Sequence, residues 1–184
     1  MTQELARRLA VITQLVEGAG TSLGRTAVMK LLYFLVKIRR VPLGYRFTLY
    51  SYGPFDSTVL EDVDYAARLG ALTVNPYLHS GGYGYSMTTG NNAAAAKSLA
   101  SDFIARHKVD VDWVLSEFGT WAAADLELAS TIVYIDDEMT SRGHSITEGE
   151  LARQVHGVKS HFSIEKITSR IQSLIGKKLL KSVH

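Results

Sequence analysis

Cysteine is absent from this chain of 184 residues. Its absence excludes disulfides, a thiol nucleophile, iron–sulfur clusters and cysteine-ligated zinc. It is also typical of a protein that works in a reducing compartment. Long apolar runs are missing as well: no stretch approaches the length that crosses a bilayer, and the first nine residues lack the apolar region of a signal peptide. We therefore expect a cytoplasmic protein that does not insert into a membrane.

Recognisable catalytic and metal-binding patterns are missing too. Of the six histidines, His156 and His161 are five residues apart, which turns them to different faces of a helix. The acidic run Asp136-Asp137-Glu138 is predicted to lie on the solvated side of a helix. Gly81-Gly82-Tyr83-Gly84 lies between two predicted strands, without the helix and lysine that follow a phosphate-binding loop. We expect no enzymatic activity, no metal and no cofactor.

The net charge of +2 is small, but its distribution is uneven. Residues 1–100 carry ten Lys or Arg against six Asp or Glu, residues 101–150 carry three against eleven, and residues 151–184 carry seven against one. A basic C-terminal segment behind an acidic middle indicates either a nucleic-acid surface or two faces that attract each other. The sequence leaves both interpretations open.

Residues 1–90 have the element order of a winged-helix-like module. Apolar residues at helical spacing predict a helix over 3–17 and a second helix that starts at an N-cap, Ser22, and ends at Pro42 and Gly44. Residues 45–50 are rich in aromatic and β-branched side chains, which predicts a short strand.

The turn Tyr52-Gly53-Pro54-Phe55 ends this strand, and Asp56 or Ser57 caps a third helix that closes at Gly70. Residues 72–74 and 83–87 then predict a hairpin with a glycine-rich tip at 80–82. A strand-to-helix corner itself favours a Gly-Pro turn between aromatic residues. A purely structural role for this turn is therefore an alternative to a binding role.

Residues 91–184 are predicted to be helical. Asn91 or Asn92 caps an alanine-rich helix that runs to His107, and a turn follows around Trp113 and Leu115. A wide apolar stripe predicts a largely buried helix over 126–139. Two more helices follow, the first opened by a capping box at Thr147–Glu150. Their predicted outer face is basic and comprises Lys159, Lys166, Arg170, Lys177 and Lys178.

The predicted fold class is therefore mainly α with a small β-hairpin (α+β). A winged-helix-like module over residues 1–90 is followed by a helical module over residues 91–184 that ends in the basic helix pair. We expect the two modules to pack together as one compact unit.

Several short motifs resemble known families. Lys30-Leu-Leu-Tyr33, Tyr45-Arg-Phe47 and Tyr50-Ser-Tyr52-Gly-Pro-Phe55 resemble the YwgA-like family of uncharacterised prokaryotic proteins. They are more distantly similar to the Panacea domain of antitoxins, and the match is best over residues 25–70. The stretch Gly157–Phe162 also resembles the YwgA-like family, more weakly. Panacea domains neutralise toxins by direct contact, so the resemblance implies a non-enzymatic binding protein. Asp56 departs from the serine expected there, although both residues cap helices well.

Two functions follow as hypotheses. The first is a protein-interaction or regulatory module, antitoxin-like or an adaptor in a mobile-element or defence setting, whose partner is another protein. The acidic third helix would meet a basic partner, and tyrosines would serve as interface anchors. The residues expected to bind the partner are Tyr52, Gly53, Pro54, Phe55, Asp56, Glu61, Tyr83 and Tyr85.

The second hypothesis is a winged-helix transcriptional regulator that binds DNA or RNA. Its third helix carries four acids and one base over residues 56–68, which is the wrong sign for a DNA groove. Nucleic acid would instead meet basic residues elsewhere: Arg25, Lys30, Arg39, Arg40, Lys159, Lys166, Arg170 and Lys177. A homodimer is the default for a small regulatory protein of either kind.

Overall fold

The computed structural model describes residues 1–79 and 82–183 and is mostly helical, with two small antiparallel strand pairs. This confirms the predicted class, mainly α with a small β-hairpin. The predicted hairpin tip at Ser80 and Gly81, together with His184, lies outside the described residues. In chain order the elements are α1 (Gln3–Gly18), α2 (Arg25–Lys37), β1 (Thr48–Tyr50), β2 (Gly53–Phe55), α3 (Ser57–Arg68), β3 (Leu72–His79), β4 (Gly82–Thr89), α4 (Ala93–Ser98), α5 (Ser101–Phe118), α6 (Ala123–Ser141), α7 (Glu148–Val158) and α8 (Ile164–Gly176).

The chain forms two compact units. Unit 1 comprises residues 1–48 and 55–123, and unit 2 comprises residues 49–54 and 124–184. These bounds differ from the predicted division near residue 90. The reason is that α4 and α5 pack against α1, so residues 91–123 belong with the N-terminal helices.

The predicted order of helix, helix, strand, helix and hairpin is present in α1, α2, β1, α3 and the β3–β4 pair. Leu49 and Tyr50 of β1 belong to unit 2, and the rest of these elements belong to unit 1. The predicted N-cap Asp56 is confirmed, because its carboxylate accepts a hydrogen bond of 2.9 Å from the Thr58 N–H. The predicted N-cap Ser22 is wrong, since α2 begins after Gly24 with no side-chain cap. Phe34 stacks on Phe118 with 4.2 Å between the ring centroids, which joins α2 to α5 in the core.

The predicted alanine-rich helix to His107, followed by a turn at Trp113, is also wrong. The alanine-rich segment ends at Ser98, and α5 then runs without a break through Trp113 to Phe118. Its buried residues Val111 and Val114 continue the helical spacing to Phe118. Charged residues between these apolar positions obscured the periodicity in the sequence.

Unit 2 consists of α6, α7, α8 and the short segment 49–54. Asp136 on α6 was predicted to face solvent, and this is wrong, because only 2% of it is exposed. Its carboxylate accepts hydrogen bonds from the backbone N–H groups of Lys181 and Ser182 and from the Ser182 hydroxyl, the last at 2.6 Å. The C-terminal segment therefore covers this carboxylate. No helix in the described residues combines the length and apolar character needed to span a bilayer.

The predicted capping box at the start of α7 is confirmed. The Glu150 carboxylate accepts hydrogen bonds from the backbone N–H and hydroxyl of Thr147, and these bonds hold the pKa of Glu150 below its ordinary value of 4.5. Because folding lowers the pKa of Glu150, the ionised Glu150 carboxylate stabilises the folded protein. This stabilisation is fully present above pH 4.5 and is lost as the pH falls through the folded-state pKa of Glu150.

Replacing Glu150 by alanine is therefore expected to lower Tm at pH 7, and the loss should shrink as the pH falls below 4.5. Circular dichroism melts at a series of pH values measure this difference. Glu148→Ala is the matched control, because Glu148 shares the first turn of α7 but accepts no bond from Thr147. A loss of Tm for Glu150→Ala that does not change with pH would contradict this account.

Candidate functional site

The Tyr52-Gly53-Pro54 turn is anchored on α6 in unit 2. Gly53 has φ of +84°, a left-handed conformation that favours glycine, and it lies directly against the helix. A methyl group at this position would lie 3.0 Å from Thr131 Oγ1 and 3.2 Å from Ser130 Oγ. Gly53 and Pro54 are buried, so these two predicted binding residues hold the turn in place rather than face a partner.

A buried ion pair fixes the other end of this turn. Lys159 is 1% exposed, and its ammonium donates hydrogen bonds to the Ser51 carbonyl and, over 2.7 Å, to Glu127 Oε1. His161 Nε2 lies 3.6 Å from the same carboxylate oxygen. The prediction that Lys159 lies on a basic outer face is wrong, because its side chain is buried and pairs with the Glu127 carboxylate of α6. Buried and bonded to both acceptors, Lys159 is a structural anchor for the turn.

Gly53→Ala is expected to destabilise the protein more than Gly143→Ala does. Both glycines have positive φ, which costs alanine about 1 kcal/mol, but no atom lies within 4 Å of a methyl group at Gly143. At Gly53 the close contacts with Ser130 and Thr131 should raise the loss to about 2–3 kcal/mol. Urea unfolding monitored by circular dichroism measures both losses. Equal losses would show that the turn does not press on α6.

Exposed tyrosines remain at the surface of this turn. Tyr52 is 72% exposed and Tyr50 is also exposed. The other predicted partner-binding residues, Phe55, Asp56, Glu61, Tyr83 and Tyr85, belong to unit 1. The predicted set is thus divided between two units.

The β3–β4 hairpin of unit 1 carries one apolar face along its whole length. Directly opposed residues share a face, and the register pairs Val74 with Met87, Pro76 with Tyr85 and Leu78 with Tyr83. Met87 is fully buried at the base of the hairpin, whereas Leu78 is 73% and Tyr83 75% exposed. The apolar face therefore begins in the core and continues into solvent. We call its exposed part, Pro76, Leu78, Tyr83 and Tyr85, the hairpin patch.

An arginine borders the hairpin patch. The Arg25 guanidinium lies 4.1 Å from the centre of the Tyr85 ring and also pairs with Asp64 Oδ1 at 2.5 Å. The ion pair neutralises the arginine, and the cation–π contact fixes the Tyr85 ring. The described part of β3 and β4 contains no Lys, Arg, Asp or Glu. The hairpin patch is thus an uncharged surface with an ion pair at its rim.

Part of the acidic side-chain set of α3 is hydrogen-bonded within unit 1 and does not face solvent. Asp62 is buried and accepts hydrogen bonds of 2.8 Å from both Arg8 Nε and the Tyr45 hydroxyl. Burial raises the pKa of Asp62, which these two bonds oppose, and burial beside Asp62 also raises the pKa of Tyr45. With Asp56 used as a cap and Asp62 inside, Glu61 is the exposed acid of the predicted partner-binding set.

Most of the residues predicted to contact nucleic acid are engaged within the protein. Lys30 and Lys159 are buried, while Arg40 and Lys177 are exposed. The other four each pair with a carboxylate of their own unit: Arg25 with Asp64, Arg39 with Asp110, and both Lys166 and Arg170 with Asp125. Within unit 2 the acidic middle and the basic C-terminal segment therefore attract each other, which is one of the two interpretations that the sequence left open.

No group of three His, Asp or Glu side chains in the described part of the chain could hold a metal ion. Two residues of these sites, Glu127 and Leu78, were not predicted from the sequence. Glu127 lies between Leu126 and Leu128 on a largely apolar helix, and a charge at such a position needs a buried partner. Leu78 continues the alternating apolar positions Leu72, Val74 and Pro76 of β3. The predicted strand ended at residue 74, so the prediction did not include Leu78.

Comparison of the chain with protein-family models and with curated proteins gave no match. The resemblance to the YwgA-like family and to the Panacea domain therefore stays a prediction.

Proposed function

We propose that this chain is a non-catalytic protein-interaction module, antitoxin-like or an adaptor, that binds a partner protein through the hairpin patch. The observation that carries the proposal is the single apolar face that leaves the core at Met87 and ends in solvent at Leu78 and Tyr83. The resemblance of residues 30–33 and 50–55 to toxin-neutralising domains supports a protein as the partner.

The chemistry of the hairpin patch suits a protein interface. Tyrosine is enriched among the residues that dominate binding energy, because it buries a large ring at low entropic cost and retains a polar hydroxyl. Fully burying a side chain such as Leu78 is worth roughly 1.5–3 kcal/mol. A partner that covers Leu78 and Tyr83 together would gain this energy without having to desolvate a charge on the hairpin.

The geometry of β3 favours a partner that packs on the apolar face of the hairpin over a partner that adds a strand to the edge of β3. Within the described residues β3 pairs with β4 alone, so its other edge could accept an extra strand. Pro76 lacks a backbone N–H and interrupts such an edge. We therefore propose that the partner lays an apolar surface across Leu78, Tyr83 and Tyr85.

The nucleic-acid alternative receives less support. Binding DNA or RNA releases counterions from phosphates and needs several unpaired cations on one surface. The pairing and burial described above remove most of the cations proposed for that role, and the hairpin patch itself carries no charge.

Site-specific photo-crosslinking in host cells tests the proposal. Benzoylphenylalanine placed at Tyr83 is expected to capture one discrete protein, which mass spectrometry identifies. The same group at Val109 is the control, because Val109 is 72% exposed on α5 in the same unit but lies outside the hairpin patch. It should not capture that protein.

Two outcomes would overturn the proposal. One is capture of nucleic acid at Tyr83, and the other is the same set of proteins captured from Tyr83 and Val109. Capture of a second copy of this chain alone would replace the partner protein by self-association.

A further inference from the structure

Unit 1 contains a cavity of about 290 Å³ that lies apart from the hairpin patch. Its walls come from α1, from the link between α4 and α5, and from the first two turns of α5. Arg7 of α1 and Arg106 of α5 both line it, together with Ser98, Ser101 and Phe103. Two arginines from different helices thus line one concave space, whose volume is at the lower limit of small-molecule sites.

Neither Arg7 nor Arg106 pairs with a carboxylate within 4.0 Å among the residues that the structure describes. By contrast, Arg8 and Arg39 of the same unit each pair with an aspartate. The Arg7 guanidinium lies 5.1 Å from the centre of the Phe103 ring, which holds it at the cavity wall.

The net charge of the lining side chains indicates an anionic ligand. The two arginines outweigh the single lining carboxylate, that of Asp102, so the site is cationic. Guanidinium groups bind phosphate oxygens with directed, charge-assisted hydrogen bonds, and two of them match the double charge of a phosphate monoester. The hydroxyl of Ser101 is a further donor at the wall.

We propose that this cavity binds the phosphate group of a small phosphomonoester between Arg7 and Arg106. The site is independent of the hairpin patch, and it gives the protein a second ligand that differs in class from its protein partner. Binding of such a ligand would join α1 to α5 through one shared anion.

Nuclear magnetic resonance titration of the full chain with glycerol phosphate tests this proposal. We expect saturable shifts of the amide signals of Ser101, Asp102 and Phe103. Arg7→Gln and Arg106→Gln should each weaken binding about tenfold or more, since each substitution removes a charge-assisted hydrogen bond to the phosphate. Arg68→Gln is the matched control, because Arg68 belongs to the same unit, is exposed and lines no part of this cavity.

Dimethyl phosphate, a singly charged diester, distinguishes a small monoester from the backbone of a nucleic acid. Tighter binding of glycerol phosphate than of dimethyl phosphate, lost in both arginine variants and retained in Arg68→Gln, supports the proposal. Equal binding of the diester, equal losses in all three variants, or no shift at about 10 mM ligand overturns it. Because Arg106 is exposed, Arg106→Gln keeps the test valid if Arg7→Gln disturbs folding.

Discussion

Replacing Lys159 by methionine is expected to lower the free energy of unfolding by about 3–5 kcal/mol. The substitution leaves the Glu127 carboxylate buried without its ammonium partner, and it removes the donor to the Ser51 carbonyl. An uncompensated charge in the interior costs far more than a broken ion pair at the surface. Urea unfolding monitored by circular dichroism measures the loss.

Two further variants separate the buried charge from a general effect of losing a lysine. Lys166→Met breaks an exposed pair with Asp125, which spans 3.4 Å, and should cost no more than about 1 kcal/mol. The double variant Lys159→Met/Glu127→Leu replaces the buried pair by apolar side chains and should recover most of the stability. The account of the turn is contradicted if Lys159→Met costs no more than Lys166→Met, or if the double variant is the least stable.

The second large effect concerns binding. Leu78→Ser and Tyr83→Ser are each expected to weaken binding of the cross-linked partner by about 2 kcal/mol, or roughly 30-fold in Kd. Both side chains lie mostly in solvent, so we expect Tm to change little. Titration calorimetry with purified partner measures Kd, and thermal melts check the fold.

Val109→Ser serves as the control for this pair of substitutions. It removes an equally exposed apolar side chain from α5 and should leave Kd unchanged. A partner whose Kd is the same for the wild type, Leu78→Ser and Tyr83→Ser would bind elsewhere. The hairpin patch would then lose its role.

Features that depend on neighbouring residues could be predicted from the sequence. The cap at Asp56 and the capping box at Thr147–Glu150 involve residues two or three positions apart, so their hydrogen bonds follow from local geometry. The order of α1, α2 and α3 and the existence of the hairpin were equally accessible, because each relies on a period of apolar residues within one segment.

Features that depend on distant partners could not be predicted. Asp62 was treated as part of an acidic surface, but its partner Arg8 lies 54 positions away in the sequence. Lys159 and Glu127 are 32 positions apart, and nothing local indicates that a lysine at the end of one helix enters the interior beside another. Charge patterns along the chain give the sign of a segment, whereas tertiary packing decides which charges remain available to a partner.

The hairpin was predicted too short for a related reason. In the sequence, Asn75-Pro76 separates the two predicted strands, and proline is rare in central strands. A strand at the edge of a two-stranded sheet tolerates it, and β3 continues to His79. Tyr83 and Tyr85 were therefore identified as anchors without Leu78, which faces Tyr83 across the strands.

Hydrogen–deuterium exchange of the protein with and without its purified partner tests the central proposal most directly. We predict that the partner slows exchange of the backbone amides over residues 77–79 and 82–86, and leaves the exchange of the α5 amides around Val109 unaffected. Slower exchange confined to other segments, with no change in the β3–β4 hairpin, would contradict the proposal that the hairpin patch binds the partner.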